Sequence, residues 1–211
     1  MTRPWPMPAG LGLAALLLLA PGVGEAQLAV SVNDNKLVLE NGRTRVVRDA
    51  PPDTLSVIDL GANPPAVRAE INVPASVVGP PTSVAVSPDE RLALVTANQR
   101  PDPADPGKLV PGNTMAVVDL AATPPRVLAT LPTGLGPAGV SINRAGTLAL
   151  VANRAEGTVS VFRIHGQEVT PAGKIEIGPV ASEVSHVAFL PDGRHALVTR
   201  YGDHSVNVLR I

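Results

Sequence analysis

Short runs in which apolar residues alternate with small or polar ones recur along the chain. Residues 139–164 hold three such runs, separated by turns that contain glycine. Val140 and Ile142 are the apolar positions of the first run, and Leu148 and Leu150 are those of the second. Because successive side chains of a strand point to opposite faces, this period of two predicts half-buried β-strands. The segment therefore predicts three strands of an antiparallel sheet, a unit too small to bury its own apolar faces.

The three-strand unit is repeated before and after this segment. Val84, Val140 and Val187 occupy equivalent positions, at spacings of 56 and 47 residues. The longer spacing includes an insertion at residues 99–112, and without its 12 extra residues the spacing is 44. Periods of about 45 residues with three or four strands are typical of β-propeller blades. The sequence predicts an all-β propeller with four-stranded antiparallel blades at residues 28–73, 82–133, 138–178 and 185–211.

The first blade matches the later copies only weakly. We expect its strands at residues 28–32, 36–40, 55–60 and 66–73, and an exposed loop over residues 43–53 that contains three arginines.

The insertion at residues 99–112 is rich in proline, which favours an extended, solvated loop. Asp102 and Asp105 lie in it but lack the ligand spacing of a calcium site, so we predict neither a metal nor a cofactor. In the third blade we expect the outer strand at residues 174–177.

The fourth blade stops after its third strand, whereas propellers typically close with four to eight blades. We expect the four blades to be the amino-terminal part of a longer propeller. The alternative is a compact ring of four blades that the strand at residues 28–32 completes.

The first 26 residues have the features of a secretory signal. Arg3 supplies positive charge, residues 11–20 form an apolar run, and residues 24–26 form a small-x-small cleavage site. The apolar run is shorter than the roughly 20 residues that a membrane-spanning helix needs, although a retained anchor is the alternative. We therefore expect a mature domain at residues 27–211, periplasmic or secreted, with no membrane span after signal removal.

Composition excludes several classes of function. The chain has no cysteine, which rules out disulfides, thiol chemistry and cysteine-ligated metals. Lysine and arginine total 17 against 18 acidic residues, and aromatic residues make up only 2%. Nothing here forms the basic stripe or the stacking surface that nucleic-acid binding needs. We expect a protein or small-molecule ligand, and no nucleic acid, as the partner.

Three kinds of short motif recur at equivalent points of the repeats. They comprise turns at residues 87–89 and 191–193, strand ends at residues 95–98, 151–153 and 198–200, and Val-Ser-Val-like or Ser-Val-Ile-Asp strands at residues 157–161 and 56–59. This set resembles the YVTN-type β-propeller repeat over most of residues 55–211. The resemblance implies relatives among surface-layer repeat proteins, YncE-like periplasmic proteins and seven-bladed lactonases, and it makes seven the expected number of blades.

Strand topology indicates where a ligand would bind. In an antiparallel four-stranded blade, the loop between the second and third strands lies at the same end as the connection to the next blade. Loops that converge on a rigid scaffold commonly form ligand sites. The candidate ligand-binding residues at this end are Arg154, Glu156, Arg200, Tyr201, Asp203 and His204. We expect a binding or scaffold module that uses this loop-rich face.

His186 is the candidate catalytic residue because it opens an innermost strand. Residues 185–189, followed by Pro191, resemble a lactonase-family stretch in which a histidine opens an inner strand. The resemblance implies that His186 acts as a base or polarises a lactone carbonyl, with Glu183 or Arg154 assisting. The structural alternative, which we favour, is a partly buried histidine that hydrogen-bonds to a neighbouring blade. A lactone hydrolase and a surface-layer or envelope repeat protein therefore stay open beside the binding module.

Overall fold

The computed structural model describes residues 27–76 and 82–211, so the predicted signal segment lies outside the described residues. The regular secondary structure of the described residues is almost entirely β-strand. These are β1 (Leu28–Asn33), β2 (Leu37–Glu40), β3 (Arg43–Val46), β4 (Thr54–Asp59), β5 (Ala66–Asn72), β6 (Val84–Val86), β7 (Leu92–Pro101), β8 (Leu109–Asp119), β9 (Arg126–Pro132), β10 (Pro137–Ile142), β11 (Leu148–Asn153), β12 (Thr158–His165), β13 (Glu168–Glu176), β14 (Val184–Phe189), β15 (His195–Arg200) and β16 (Ser205–Arg210). A single 3-10 turn, Val180–Ser182, precedes β14 within this part of the chain. No helix among the described residues is long and apolar enough to cross a membrane.

Four antiparallel sheets follow one another along the chain and correspond to blades. Blade 1 has the strand order β1-β4-β5, blade 2 is β6-β7-β8-β9, blade 3 is β10-β11-β12-β13, and blade 4 is β14-β15-β16. Strands β2 and β3 form a separate two-stranded hairpin between β1 and β4.

The register of blade 1 corrects the strand assignment predicted for it. β1 pairs with β4 as β11 pairs with β12, so its sequence LAVSVN is a copy of the second strand, LALVAN, of blade 3. The stretch at residues 36–40 was predicted to belong to the blade, but it lies in the separate hairpin. The predicted loop at residues 43–53 was also wrong in its first half, because Arg43–Val46 is the second strand of that hairpin.

Two further predictions are corrected by strand pairing. The insertion at residues 99–112 is a loop only over residues 102–108, because β7 and β8 continue pairing through Gln99↔Pro111 and Pro101↔Leu109. The outer strand of blade 3 begins at Glu168 and covers far more than the predicted residues 174–177. In both places strand pairing extends beyond the bounds that the sequence predicted.

Apolar side chains between successive blades form three separate cores. Leu94 and Val117 of blade 2 pack with Val151 and Phe162 of blade 3, while Val95 of blade 2 faces blade 1. The core between blades 3 and 4 contains Leu150, Val159, Val187 and Val198, among others. Because the two inner blades are covered on both sides, their strands are buried almost continuously, whereas β15 and β16 alternate between more and less buried residues.

The innermost strands of the blades lie side by side. β10 contacts both β6 and β14, which places the first strands of blades 2, 3 and 4 along a common inner edge. β1 pairs within blade 1 and is not part of the sheet of blade 4. The four-blade ring completed by residues 28–32 is therefore wrong.

Candidate functional site

One end of the blades is formed by loops that hydrogen-bond to one another. Arg154 N–H donates to Gly136 O at 2.8 Å, which joins the β11–β12 turn to the connection between blades 2 and 3. In the same way Tyr201 N–H donates to Glu183 O at 3.1 Å in blade 4. In blades 3 and 4, backbone hydrogen bonds therefore hold the turn between the second and third strands against the segment that leads into the first strand of the same blade.

A cleft of about 340 Å³ opens at this end between the loops of blades 2, 3 and 4. Its walls combine small apolar side chains with a few polar ones, as in small-molecule sites generally. The lining residues are Asn98, Gln99, Pro111, Gly136, Arg154, Ala155, Val180, Ala181 and Glu183. Of the residues predicted to bind ligand, Arg154 lines this cleft directly, and it does so together with the predicted catalytic Glu183.

Arg154 is held in the cleft by three contacts. Its Nη2 donates to Glu183 Oε2 at 2.5 Å, and its Nη1 donates to Ser185 Oγ at 3.2 Å. Its Cζ lies 5.1 Å from the centroid of the Tyr201 ring, within the range of a cation–π contact. The side chain of Arg154 is 21% exposed. These contacts orient the guanidinium while leaving further N–H groups for a ligand.

Glu183 adopts a backbone conformation that few side chains tolerate. Its φ of 48° and ψ of 62° lie in the left-handed region, directly after the 3-10 turn Val180–Ser182. A residue with a Cβ in this region is strained, and strain of this kind is concentrated at binding and catalytic sites. The side chain is 41% exposed, and its hydrogen bond to Arg154 uses Oε2.

Two amide side chains in the cleft were not among the residues predicted for the site. Asn98 donates from Nδ2 to Gly136 O at 2.8 Å and is nearly buried. The backbone of Gln99, the next residue, pairs with Pro111 of β8, while its side chain makes no hydrogen bond to another described residue. Its amide group can both donate hydrogen bonds to and accept them from a ligand in the cleft. The only signal for it in the sequence is its position directly after the recurring strand end at residues 95–98.

Glu156 lies beside the cleft and supports a loop. It accepts hydrogen bonds from Lys174 Nζ at 2.5 Å and from Leu135 N–H at 2.8 Å. Burial alone would raise its pKa, but the hydrogen bonds from Lys174 and Leu135 outweigh burial and lower the pKa below the usual value. Because its acceptors are occupied by the protein, Glu156 holds the connection between blades 2 and 3 in place.

Arg200, Asp203 and His204 lie together in the β15–β16 turn, outside the residues that line the cleft. Arg200 forms an ion pair with Asp203 and lies 3.4 Å from Asn207 Oδ1. The Ser205 hydroxyl, which donates to Asp203, is the main cause of a lowered pKa at that carboxyl, and Arg200 adds to it. His204 has a φ of 55° in the turn. The structure thus separates these three residues from the Arg154 group, to which Tyr201 alone of this turn belongs.

His186 lies near the start of the innermost strand of blade 4. Its backbone N–H donates to Thr199 Oγ1 at 3.1 Å, and its ring packs against Gly139 of blade 3, where a Cβ atom would overlap Nδ1. Nδ1 is buried and has no hydrogen-bond partner among the described residues, so the expected bond from this nitrogen to a neighbouring blade is absent. Burial lowers the pKa of the imidazole, which keeps the ring neutral. Glu183, its predicted assistant, is bonded instead to Arg154.

The described residues hold no group of three or more histidine, aspartate or glutamate side chains that is arranged to bind a metal ion.

Comparison with known proteins identifies the fold class. No family model and no curated protein sequence matches the chain. Among solved structures, the chain is similar to Kuenenia stuttgartiensis hydrazine synthase, with a TM-score of 0.61 and 16% identity over 88% of this chain and 56% of that one. It is also similar to the Pseudomonas aeruginosa periplasmic gluconolactonase PpgL, with a TM-score of 0.53 and 21% identity over 82% of this chain and 52% of that one.

A third structure is described as a β-propeller by its own name. The Cps50 (Swd1) β-propeller domain of Myceliophteria thermophila matches with a TM-score of 0.51 and 12% identity, over 79% of this chain and 51% of that one. The sheet order, the inter-blade cores and these likenesses define the chain as part of a β-propeller. The chain spans about half the length of these three structures. At such low identity the likenesses show the fold alone.

Proposed function

We propose that this chain is a β-propeller binding module whose ligand occupies the cleft around Arg154. The observation that supports this most is an oriented, partly exposed guanidinium in a concave site that Gln99 also lines. Arg154 and Gln99 offer hydrogen-bond donors, and the second carboxylate oxygen of Glu183 offers an acceptor. Since the Arg154–Glu183 pair carries no net charge, the cleft suits a polar ligand that is neutral or zwitterionic.

Replacement of Arg154 tests this proposal. A panel of free amino acids, dipeptides and hexoses is screened against the purified protein by thermal shift, and any compound that binds is titrated by calorimetry. Loss of a hydrogen bond to a charged group costs about 1.5–3 kcal/mol, so Arg154→Ala is expected to weaken binding about 10- to 100-fold. Arg163→Ala is the matched control because Arg163 is exposed on β12, away from the cleft, and it is expected to leave binding within about twofold.

Two outcomes would contradict the proposal. In the first, no compound of the panel binds the wild-type protein. In the second, a compound binds wild-type protein and Arg154→Ala equally well, which would place its site elsewhere.

A lactone hydrolase centred on His186 is the second candidate. The observation in its favour is a neutral imidazole at the start of an innermost strand, which is the protonation state that a general base needs. The gluconolactonase among the similar structures gives a substrate class to test. Opening of δ-gluconolactone by the purified protein, lost in His186→Gln and retained in Arg154→Ala, would favour the hydrolase over the binding module.

Location and family membership are also proposals. Residues 1–26 support export to the periplasm or outside the cell, and the recurring motifs support a YVTN-type, YncE-like propeller. A surface-layer role is distinguished by fractionation. Release of the protein by osmotic shock is expected for a periplasmic binding module, whereas retention on the cell envelope would favour the surface-layer role.

A further inference from the structure

The Arg154–Glu183 pair places two opposite charges side by side in the cleft. Arg154 uses two of its five N–H groups, on Glu183 Oε2 and Ser185 Oγ, so the guanidinium can donate from the others. No described residue is hydrogen-bonded to Glu183 Oε1. A ligand therefore meets hydrogen-bond donors with positive charge and an acceptor with negative charge at adjacent points of the cleft.

Apolar side chains make up much of the remaining lining. Pro111, Ala155, Val180 and Ala181 belong to it. Val180 lies in the 3-10 turn between blades 3 and 4 and is 58% exposed. Leu135, whose C=O accepts a hydrogen bond from Ala155 N–H between blades 2 and 3, is 46% exposed. Exposed apolar side chains around a concave site indicate that the ligand has an apolar part.

We propose that the ligand of the cleft is a free α-amino acid with a large apolar side chain, such as leucine. This inference rests on the proposed function, because it specifies the ligand of the same cleft. In an α-amino acid one carbon atom separates the carboxylate from the ammonium group, and both groups are charged at neutral pH. The carboxylate accepts hydrogen bonds from Arg154, the ammonium group donates to Glu183 Oε1, and the side chain packs against Val180.

Two other classes of polar ligand match the cleft less well. A hexose has hydroxyl groups on all sides, and those turned toward Val180 would lose water without gaining a hydrogen-bond partner. A dipeptide has a peptide unit between its charged ends, whereas Arg154 Nη2 and Glu183 Oε2 are only 2.5 Å apart. The cleft volume of about 340 Å³ is near the lower end of the range for small-molecule sites, which also favours a small ligand.

Calorimetry with a matched series of ligands tests this proposal on the purified protein at neutral pH. L-Leucine is the reference ligand. L-Alanine has the same charged groups but little side chain, and it is expected to bind about 10- to 100-fold more weakly. Isocaproate is leucine without its amino group, and isoamylamine is leucine without its carboxyl group. Each is expected to bind about tenfold more weakly or worse, because one charged group of the pair loses its partner.

Two variants separate the charged contact from the apolar one. Glu183→Gln is expected to weaken binding of L-leucine about tenfold, while isocaproate, which has no ammonium group, binds at least as well as to wild-type protein. Val180→Ala is expected to weaken binding of L-leucine about threefold to tenfold and to leave L-alanine within about twofold. The matched control is Val127→Ala on β9, where the side chain is 37% exposed, and it is expected to leave both affinities unchanged.

The outcomes that overturn this inference differ from those that overturn the proposed function. A hexose or dipeptide that binds wild-type protein but not Arg154→Ala, with no binding of L-leucine, would leave the binding module in place and overturn the amino-acid ligand. Affinity for L-leucine that is unchanged in Glu183→Gln or in Val180→Ala would also overturn it. If no compound binds the wild-type protein, both proposals are overturned.

Discussion

His186 is a half-buried side chain at the contact between two blades, and its Nδ1 atom is fully buried there. Its ring occupies the space that a side chain at Gly139 would need, and Nδ1 has no hydrogen-bond partner among the residues that the structure describes. A protonated imidazole is costly in such a place, because burial penalises the charged form. The interface between blades 3 and 4 therefore favours the neutral ring.

The stability of the protein is expected to depend on pH through this residue. The pKa of His186 is lowered in the folded state, so the unfolded chain, with a pKa of about 6.5, binds the proton first as pH falls. The free energy of unfolding should therefore decrease between pH 7.5 and 5.5 more steeply in wild-type protein than in His186→Gln, as measured by urea denaturation. His165→Gln serves as the control because His165 is exposed on β12, and it should retain the wild-type slope. Equal slopes in wild-type protein and His186→Gln would contradict this explanation.

The sequence predicted the end of the blades at which the cleft lies, but it predicted only some of the residues that line the cleft. Strand topology predicted the loop-rich end, and Arg154 and Glu183 both lie in the cleft there. The pairing of Glu183 with Arg154, and not with His186, depends on a left-handed backbone at Glu183 that no local pattern indicates. Gln99 was missed because the cleft that it lines is formed by residues of three blades, and spacing along one strand does not encode which blades meet there.

The β2–β3 hairpin is attached to blade 1 by a buried lysine. Lys36 is 8% exposed, forms an ion pair with Asp53, and lies 3.0 Å from Asp34 Oδ1. Its Nζ also donates to Ala75 O at 2.6 Å. A two-stranded hairpin is marginally stable alone, so the contacts of Lys36 explain how the β2–β3 hairpin stays attached to blade 1.

Removal of the Lys36 charge should destabilise the protein strongly. In Lys36→Met the carboxylates of Asp34 and Asp53, whose side chains are 6% and 9% exposed, lose their cation. An unpaired buried charge of this kind costs about 3–5 kcal/mol, measurable as a lower free energy of unfolding in urea. Lys108→Met removes a lysine that is 72% exposed, and its effect is expected to stay within about 0.5 kcal/mol. A similar small effect for Lys36→Met would show that the cluster does not hold the hairpin.

The alternation of apolar and polar residues predicted where strands form, but it did not predict which sheet each strand joins. Residues 36–40 have a strand pattern and do form a strand, but in a hairpin of their own. The signal that would have assigned blade 1 correctly is the likeness of LAVSVN to LALVAN, which places β1 as a second strand. Pairing partners are set by contacts distant in sequence, and a period of two carries no information about them.

The molecule as a whole is a series of sheets in which each blade shelters its neighbours. The repeat period was enough to predict this architecture, because every copy has apolar residues on both faces and no copy can bury them alone. The pattern could not predict which face of a strand packs against which neighbouring blade, because strands such as β7 and β11 are apolar on both faces. The structure assigns Leu94 to the core with blade 3 and Val95 to the core with blade 1.

A double-mutant cycle tests this face-to-face packing most directly. Leu94 and Val151 belong to one core but to different blades, whereas Val187 belongs to the next core. Free energies of unfolding in urea are measured for Leu94→Ala, Val151→Ala, Val187→Ala and the two double variants. We expect a coupling of about 0.5–3 kcal/mol between Leu94 and Val151, and additivity within about 0.5 kcal/mol between Leu94 and Val187. Additivity in the first pair, or coupling in the second, would contradict the packing of blades described here.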